Sequence, residues 1–143
     1  MTKLSPNFSL AELTVTNTGL PNNPNGERLA NLKRTALLME PIRELLGNLP
    51  IIVTSGFRSS AVNIKVGGAP NSDHTLGYAV DWTCPKFGSP YLIVATIVNS
   101  GIEFDQIIHE KRKWIHISFN PKARHQVLTL PTNSNNYLTG LHK

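Results

Sequence analysis

Cysteine is almost absent from this chain. Of its 143 residues only Cys84 carries a thiol, which excludes an internal disulfide and any zinc site built on cysteine pairs. Charge is sparse as well. Asp, Glu, Lys and Arg make up 16% of the residues against 40% hydrophobic, a balance that suits a folded core and not a disordered chain. No apolar run approaches the roughly 20 residues that a membrane-spanning helix needs. The opening Met1-Thr2-Lys3-Leu4-Ser5-Pro6 has no apolar signal core. The expectation is a single domain over residues 1–143, made in the cytoplasm without an export signal and working as a monomer.

Acidic residues are outnumbered. With 14 Lys and Arg against 9 Asp and Glu the formal charge is +5, which favours a polyanionic partner: nucleic acid, an anionic membrane or a cell wall. The basic residues are scattered, apart from Lys111-Arg112-Lys113. Aromatic and basic residues are not interleaved as a base-stacking platform requires, so nucleic acid is not the expected partner.

What is present reads as alternating helices and strands. Ser9-Leu10-Ala11-Glu12 has the spacing of a capping box and predicts a short helix. Residues 17–26 are rich in Asn, Pro and Gly and read as a loop. Glu27 to Leu46 is helical by its apolar stripe, with Gly47 as a stop and Pro41 expected to kink or break it. Ile51 to Thr54 is a strand, and Ser59 or Ser60 caps a short helix ending near Gly67-Gly68. Ala79 to Cys84 is a second strand, and Ser89-Pro90 opens a helix running to about Ser100. Asp105 to Glu110 and Lys113 to Phe119 form a hairpin, His125 to Leu130 adds an edge strand, and residues 133–143 read as a frayed, flexible tail.

Three residues stand out against this background: His74, Asp81 and His116. Two imidazoles and a carboxylate are what a catalytic zinc takes from a protein, leaving one position open for a water whose pKa falls to about 7. Other divalent ions could use the same ligands. His74 is expected on a loop, Asp81 inside a strand and His116 in the second arm of the hairpin, where Trp114, His116 and Ser118 share a face. With Lys111-Arg112 as a two-residue turn, Glu110 opposes Lys113 and Ile107 opposes His116. Glu110 then lies near the metal as candidate general base. His109 alternates with it and faces away. Trp82 and Cys84 read as structural, and His125 and His142 as solvated.

The ordered motifs carry a family resemblance. Ser72-x-His74-x-x-Gly77-x-Ala79-x-Asp81, followed by Trp114-Ile115-His116-Ile117-Ser118, resembles the zinc D-Ala-D-Ala carboxypeptidase family of peptidoglycan peptidases. Ser55-Gly56-Phe57-Arg58-Ser59, Gly67 to Ser72 and Phe104 to Ile108 extend the likeness over roughly residues 5–120, and the short, single-domain peptidases of bacteriophages are the branch it looks most like. The resemblance implies an α+β fold, with helices packed on a small antiparallel sheet. It implies Zn2+ on His74, Asp81 and His116, and cleavage of the peptidoglycan stem peptide at D-Ala-D-Ala or between L-Ala and D-Glu. A phage or prophage lytic enzyme of this kind reaches the wall by holin-type release, host lysis or virion delivery. Arg58 matches an arginine that binds substrate and polarises the scissile carbonyl; Ser72 is a candidate substrate hydrogen bond, Trp114 a candidate cleft wall, and Asp73 has no assigned role. Several branches carry an acidic residue three before the last histidine ligand. Here that residue is Lys113, which leaves Glu110 as candidate base.

Two other readings share parts of this pattern. A wall-binding or virion module could keep the zinc ligands without turnover, but has no need of a carboxylate such as Glu110 beside the metal. A nucleic-acid-binding domain would explain the charge but not the ligands.

Overall fold

The computed structural model describes residues 2–143; Met1 lies outside them. At the N-terminus β1 (Lys3–Ser5) and β2 (Phe8–Ser9) form a small antiparallel ribbon. It leads into α1 (Leu10–Leu13), whose capping box is complete: the Ser9 hydroxyl accepts from the Glu12 N–H and the Glu12 carboxylate accepts from the Ser9 N–H. The long helix α2 (Gly26–Leu45) follows and stops at Gly47, whose φ of +79° suits glycine.

Pro41 does not break α2, so of the kink or break expected from the sequence the break does not occur. Both Pro41 and Leu37 lie on the exposed side of the helix. The Leu37 carbonyl, which loses its intrahelical donor to the proline ring, can therefore be satisfied by water. The buried stripe Leu32, Thr35, Ala36, Met39 and Ile42 continues past it undisturbed.

The main sheet has six strands in the order β3-β4-β6-β5-β7-β8, built from β3 (Ile52–Ser55), β4 (Ala79–Thr83), β5 (Gln106–Glu110), β6 (Trp114–Ser118), β7 (Gln126–Leu130) and β8 (Leu138–Thr139). Between these strands lie α3 (Ser60–Lys65), α4 (Asp73–Leu76) and α5 (Pro90–Ser100), the last capped by the Ser89 hydroxyl. The fold is α+β as expected, and the sheet is antiparallel except that β5 and β7 run parallel. The expected edge strand β7 is thus an interior one.

Period-two alternation sorts the sheet into two faces. Val80 and Trp82 of β4, Ile107 of β5, and Ile115 and Ile117 of β6 enter one hydrophobic cluster with α2 and α5. Each fully buried isoleucine there contributes roughly 2 kcal/mol. The opposite face carries Asp81, His116, Ile108 and Glu110, and it is where the cleft opens.

The frayed tail expected over residues 133–143 is a second correction. Thr129 and Leu128 pair with Leu138 and Thr139. The Gly140 N–H donates to the Val127 carbonyl at 2.8 Å, and the His142 N–H to the Thr129 hydroxyl at 2.9 Å. These bonds compensate the ordering of a segment whose polar composition gave no periodic signal. Among the described residues no helix is long and apolar enough to cross a membrane.

Candidate active site

Antiparallel pairing sets Asp81 of β4 directly opposite His116 of β6, so both side chains rise from the same face. The His116 Nδ1 lies 2.9 Å from the Asp81 Oδ1. His74 arrives from the side, on the one-turn helix α4 and not on the loop expected from sequence. Ser72 caps that turn, accepting from the His74 N–H at 3.2 Å. Gly77 closes it with φ +86°; a Cβ there would stand 2.6 Å from the Arg28 carbonyl oxygen of α2. Asp73, which had no assigned role, ties α4 to the end of β6 by accepting from Ser118 Oγ at 2.7 Å and Asn120 Nδ2 at 2.9 Å.

The three side chains each offer a ligand atom, and these atoms lie within 4.8 Å of one another. Their chemistry asks for a cation. The His74 Nδ1 is 2.8 Å from the Gly56 carbonyl oxygen, which can only accept, so Nδ1 must carry a proton. In a neutral ring Nε2 is then a lone pair, and it faces the Asp81 Oδ2 at 3.3 Å. Two acceptors opposed at that distance are stabilised by a cation between them. Two nitrogens, one oxygen and an outer hydrogen bond fixing the ring are the donor set and orientation that suit zinc.

A proton on each imidazole can take the place of that cation. Burial opposes ionisation of Asp81, but the charges and hydrogen bonds of protonated His74 and His116 hold its carboxyl far below the ordinary carboxylate range. His116 is shifted upward: burial opposes its protonation, and the Asp81 hydrogen bond and charge override it. Arg58 completes the cluster. Its Nε donates to Ser55 Oγ at 3.0 Å, and its Nη1 to Asn63 Oδ1 and Nη2 to Asp81 Oδ2 at 3.4 Å each.

The β5–β6 hairpin differs from expectation by one residue. Glu110 pairs with Trp114 and Ile108 with His116, not Lys113 and Ile107. Lys111 and Arg112 take left-handed φ of 53° and 60°, the Lys113 N–H bonds the Glu110 carbonyl at 2.9 Å, and Lys113 is left over as an extra turn residue. A one-residue slip exchanges the faces of a strand. The observed register therefore puts Glu110 on the face of His116, whereas the expected one would have turned it away. Burial pushes the Glu110 carboxyl upward, with the nearby His116 charge opposing. His109 faces the other side, as expected, where its Nδ1 meets the His142 carbonyl oxygen at 2.9 Å.

All seven candidates, Arg58, Ser72, His74, Asp81, Glu110, Trp114 and His116, border one cleft of about 490 Å³. The cleft also takes in Gln106, Ile108, Lys111, Leu130 and Tyr137, which sequence reasoning missed. Gln106 and Ile108 follow from strand alternation once the register is known. Tyr137 had no signal at all, because it sits in the segment read as a tail. His125 stands apart, stacked on Phe104 with ring centroids 4.3 Å apart.

A cleft lined by a His-Asp-His set, with His74 buried and Asp81 and His116 half-buried, offers the donor set that a metallohydrolase uses. The sequence matches the family model of peptidase M15 over residues 6–118, and the chain belongs to that family. It is also similar to the zinc D-Ala-D-Ala carboxypeptidase of Streptomyces albus G, with 38% identity over 77 residues. That stretch is 52% of this chain and 30% of the relative, so the chain spans about a third of the curated protein it matches.

Proposed function

We propose that the protein is a zinc peptidase of the bacterial cell wall, hydrolysing a peptide bond of the peptidoglycan stem at D-Ala-D-Ala or between L-Ala and D-Glu, in the service of phage or prophage lysis. The observation that carries this is the convergence of Glu110 and Arg58 on the cleft that holds His74, Asp81 and His116. Zinc held by those three residues supplies a Lewis acid and a water acidic enough to ionise near neutral pH.

The remaining chemistry belongs to side chains. Glu110, kept basic by burial, accepts the proton of the attacking water at its carboxylate and delivers it to the leaving nitrogen. Arg58, at the cleft wall, binds the carbonyl oxygen as negative charge develops. Ser72 and Trp114 border the bound peptide. The net charge of +5 favours a polyanionic wall, and the enzyme acts as a monomer. A wall-binding module without turnover is the second reading; the half-buried carboxylate of Glu110 in the cleft argues against it.

Mass spectrometry of purified peptidoglycan after digestion tests the proposal. New D-Ala carboxyl or D-Glu amino termini, lost after chelation and restored by zinc, are expected. Unchanged peptidoglycan at full zinc loading would leave the binding module as the better reading.

A further inference from the structure

The segment after β7 lies beyond residue 118, where the family match ends, and the roles assigned so far leave it without one. It leaves the sheet at Pro131 and returns as β8. At its first end the Lys111 N–H donates to the Leu130 carbonyl at 2.7 Å and the Thr132 hydroxyl to the Lys111 carbonyl at 3.3 Å, fastening the strap to the hairpin tip beside Glu110. Its turn is bonded within itself: the Ser134 N–H reaches the Pro131 carbonyl at 3.2 Å and the Asn136 N–H the Ser134 hydroxyl at 3.0 Å. At the far end the Thr129–Leu138 and Leu128–Thr139 pairs fix the return.

These anchors determine where Tyr137 stands. Trp114 pairs with Glu110, and Glu110 with Leu130. Leu138 pairs with Thr129, so the next step of the antiparallel ladder brings Tyr137 alongside Leu130. Trp114, Glu110, Leu130 and Tyr137 thus form one row across the sheet, and all four border the cleft. The row runs parallel to Asp81, His116 and Ile108, one repeat along the strands. Tyr137 is half exposed and lines the same cleft as the candidate base.

We propose that Tyr137 is a substrate-positioning residue, supplied by the strap of residues 131–137, whose hydroxyl donates a hydrogen bond to a carbonyl oxygen of the peptide lying in the cleft. This rests on the peptidase reading above. The phenol is a neutral donor and suits the neutral carbonyl of a peptide, whereas a carboxylate is better received by the cations of the cleft, Arg58 and Lys111. Burial and the charges of Glu110 and Asp81 push the ionisation of Tyr137 upward, which keeps the phenol a donor well into the alkaline range. Fixing one end of the peptide in the row of Glu110 holds the scissile bond in reach of that carboxylate.

The test compares Tyr137→Phe with wild type as zinc-loaded protein, using a synthetic stem peptide. Tyr137→Phe is expected to raise KM about 5–10-fold, the worth of one hydrogen bond, with kcat within twofold and with zinc content and melting temperature unchanged. Binding is measured separately in the Glu110→Gln background, following cleft Trp114 fluorescence as the peptide is titrated. Kd should weaken by the same factor when Tyr137→Phe is added. Unaltered KM and Kd, or a loss confined to kcat, overturns the proposal. If the wild type binds the peptide without cutting it and Tyr137→Phe still weakens Kd, only the catalytic reading falls. A wild type that neither binds nor cuts overturns both.

Discussion

Glu110 stands opposite Trp114 in the β5–β6 hairpin, and this pairing puts its carboxylate diagonal to His116 on a common face. Diagonal partners in an antiparallel pair are roughly 7–8 Å apart at Cα, a span that a water and its hydrogen bonds can bridge.

Glu110→Gln should therefore retain zinc and fold normally while losing about 10²–10⁴-fold in kcat. The pH profile gives an independent readout. A base must be ionised to accept a proton, and burial raises Glu110 above its usual 4.5. The acid limb of kcat/KM should accordingly fall off above that value in the wild type and disappear in the residual activity of Glu110→Gln. A variant with near-normal turnover would remove Glu110 from the role.

The hairpin also marks where the sequence was readable and where it was not. Alternation in Trp114-Ile115-His116-Ile117-Ser118 correctly separated core from cleft, because Ile115 and Ile117 are both fully buried. The partner strand could not be registered. Lys-Arg has none of the Asn-Gly or Asp-Gly chemistry that announces a left-handed turn, yet Lys111 and Arg112 adopt one. Each non-glycine residue there costs about 1 kcal/mol or more, which the Lys111–Leu130 hydrogen bond helps offset. That bond is long-range and invisible in local pattern. The same applies to the segment around Tyr137, whose order comes from β7, and to α2, where Pro41 is tolerated only because its face is exposed.

Metal and fold should be coupled. His74, Asp81 and His116 come from a helical turn and two strands and converge only in the native state. One zinc per chain is expected by elemental analysis, and none in Asp81→Ala. Free zinc at about a thousand times its Kd would add roughly 4 kcal/mol to the unfolding free energy, so chelation should lower Tm. Equal zinc in wild type and Asp81→Ala would refute the ligand set.

Away from the cleft, buried Asp105 accepts from Arg124 three times: from its backbone N–H at 3.1 Å, its Nε at 2.9 Å and its Nη2 at 2.8 Å. The Arg124 hydrogen bonds, against the opposing effect of burial, hold the Asp105 carboxyl below its usual 3.8. A carboxylate depressed in the folded state stabilises it above the unfolded pKa, and that contribution is lost as pH falls through the folded one. Arg124→Met should cost about 2 kcal/mol near neutral pH. Denaturation curves of the two proteins should converge as pH drops below about 4; a gap that persists unchanged in acid would mean the loss is one of packing.

Arg58 spends its guanidinium on three neighbours, Ser55, Asn63 and Asp81, and this makes it the most geometrically constrained cation of the cleft. Its setting is tight. A Cβ on Gly68 would lie 2.0 Å from Asn63 Oδ1 and 3.0 Å from Arg58 Nη1. Asn63 cannot swing clear, because its Nδ2 donates to the Ala69 carbonyl at 2.8 Å. Lysine in place of Arg58 offers one point charge and cannot form the fork that a planar carbonyl or carboxylate accepts. Arg58→Lys should therefore lower kcat/KM by about 2–4 kcal/mol of transition-state stabilisation, with zinc content and Tm close to wild type. Gly68→Ala should reproduce part of that loss with Arg58 intact, since it displaces the Asn63 and Arg58 side chains and leaves the metal ligands alone. Wild-type cleavage by Arg58→Lys would remove the residue from the reaction. A collapse of its Tm would make the arginine a structural tie between α3 and Asp81 and not a group that meets substrate.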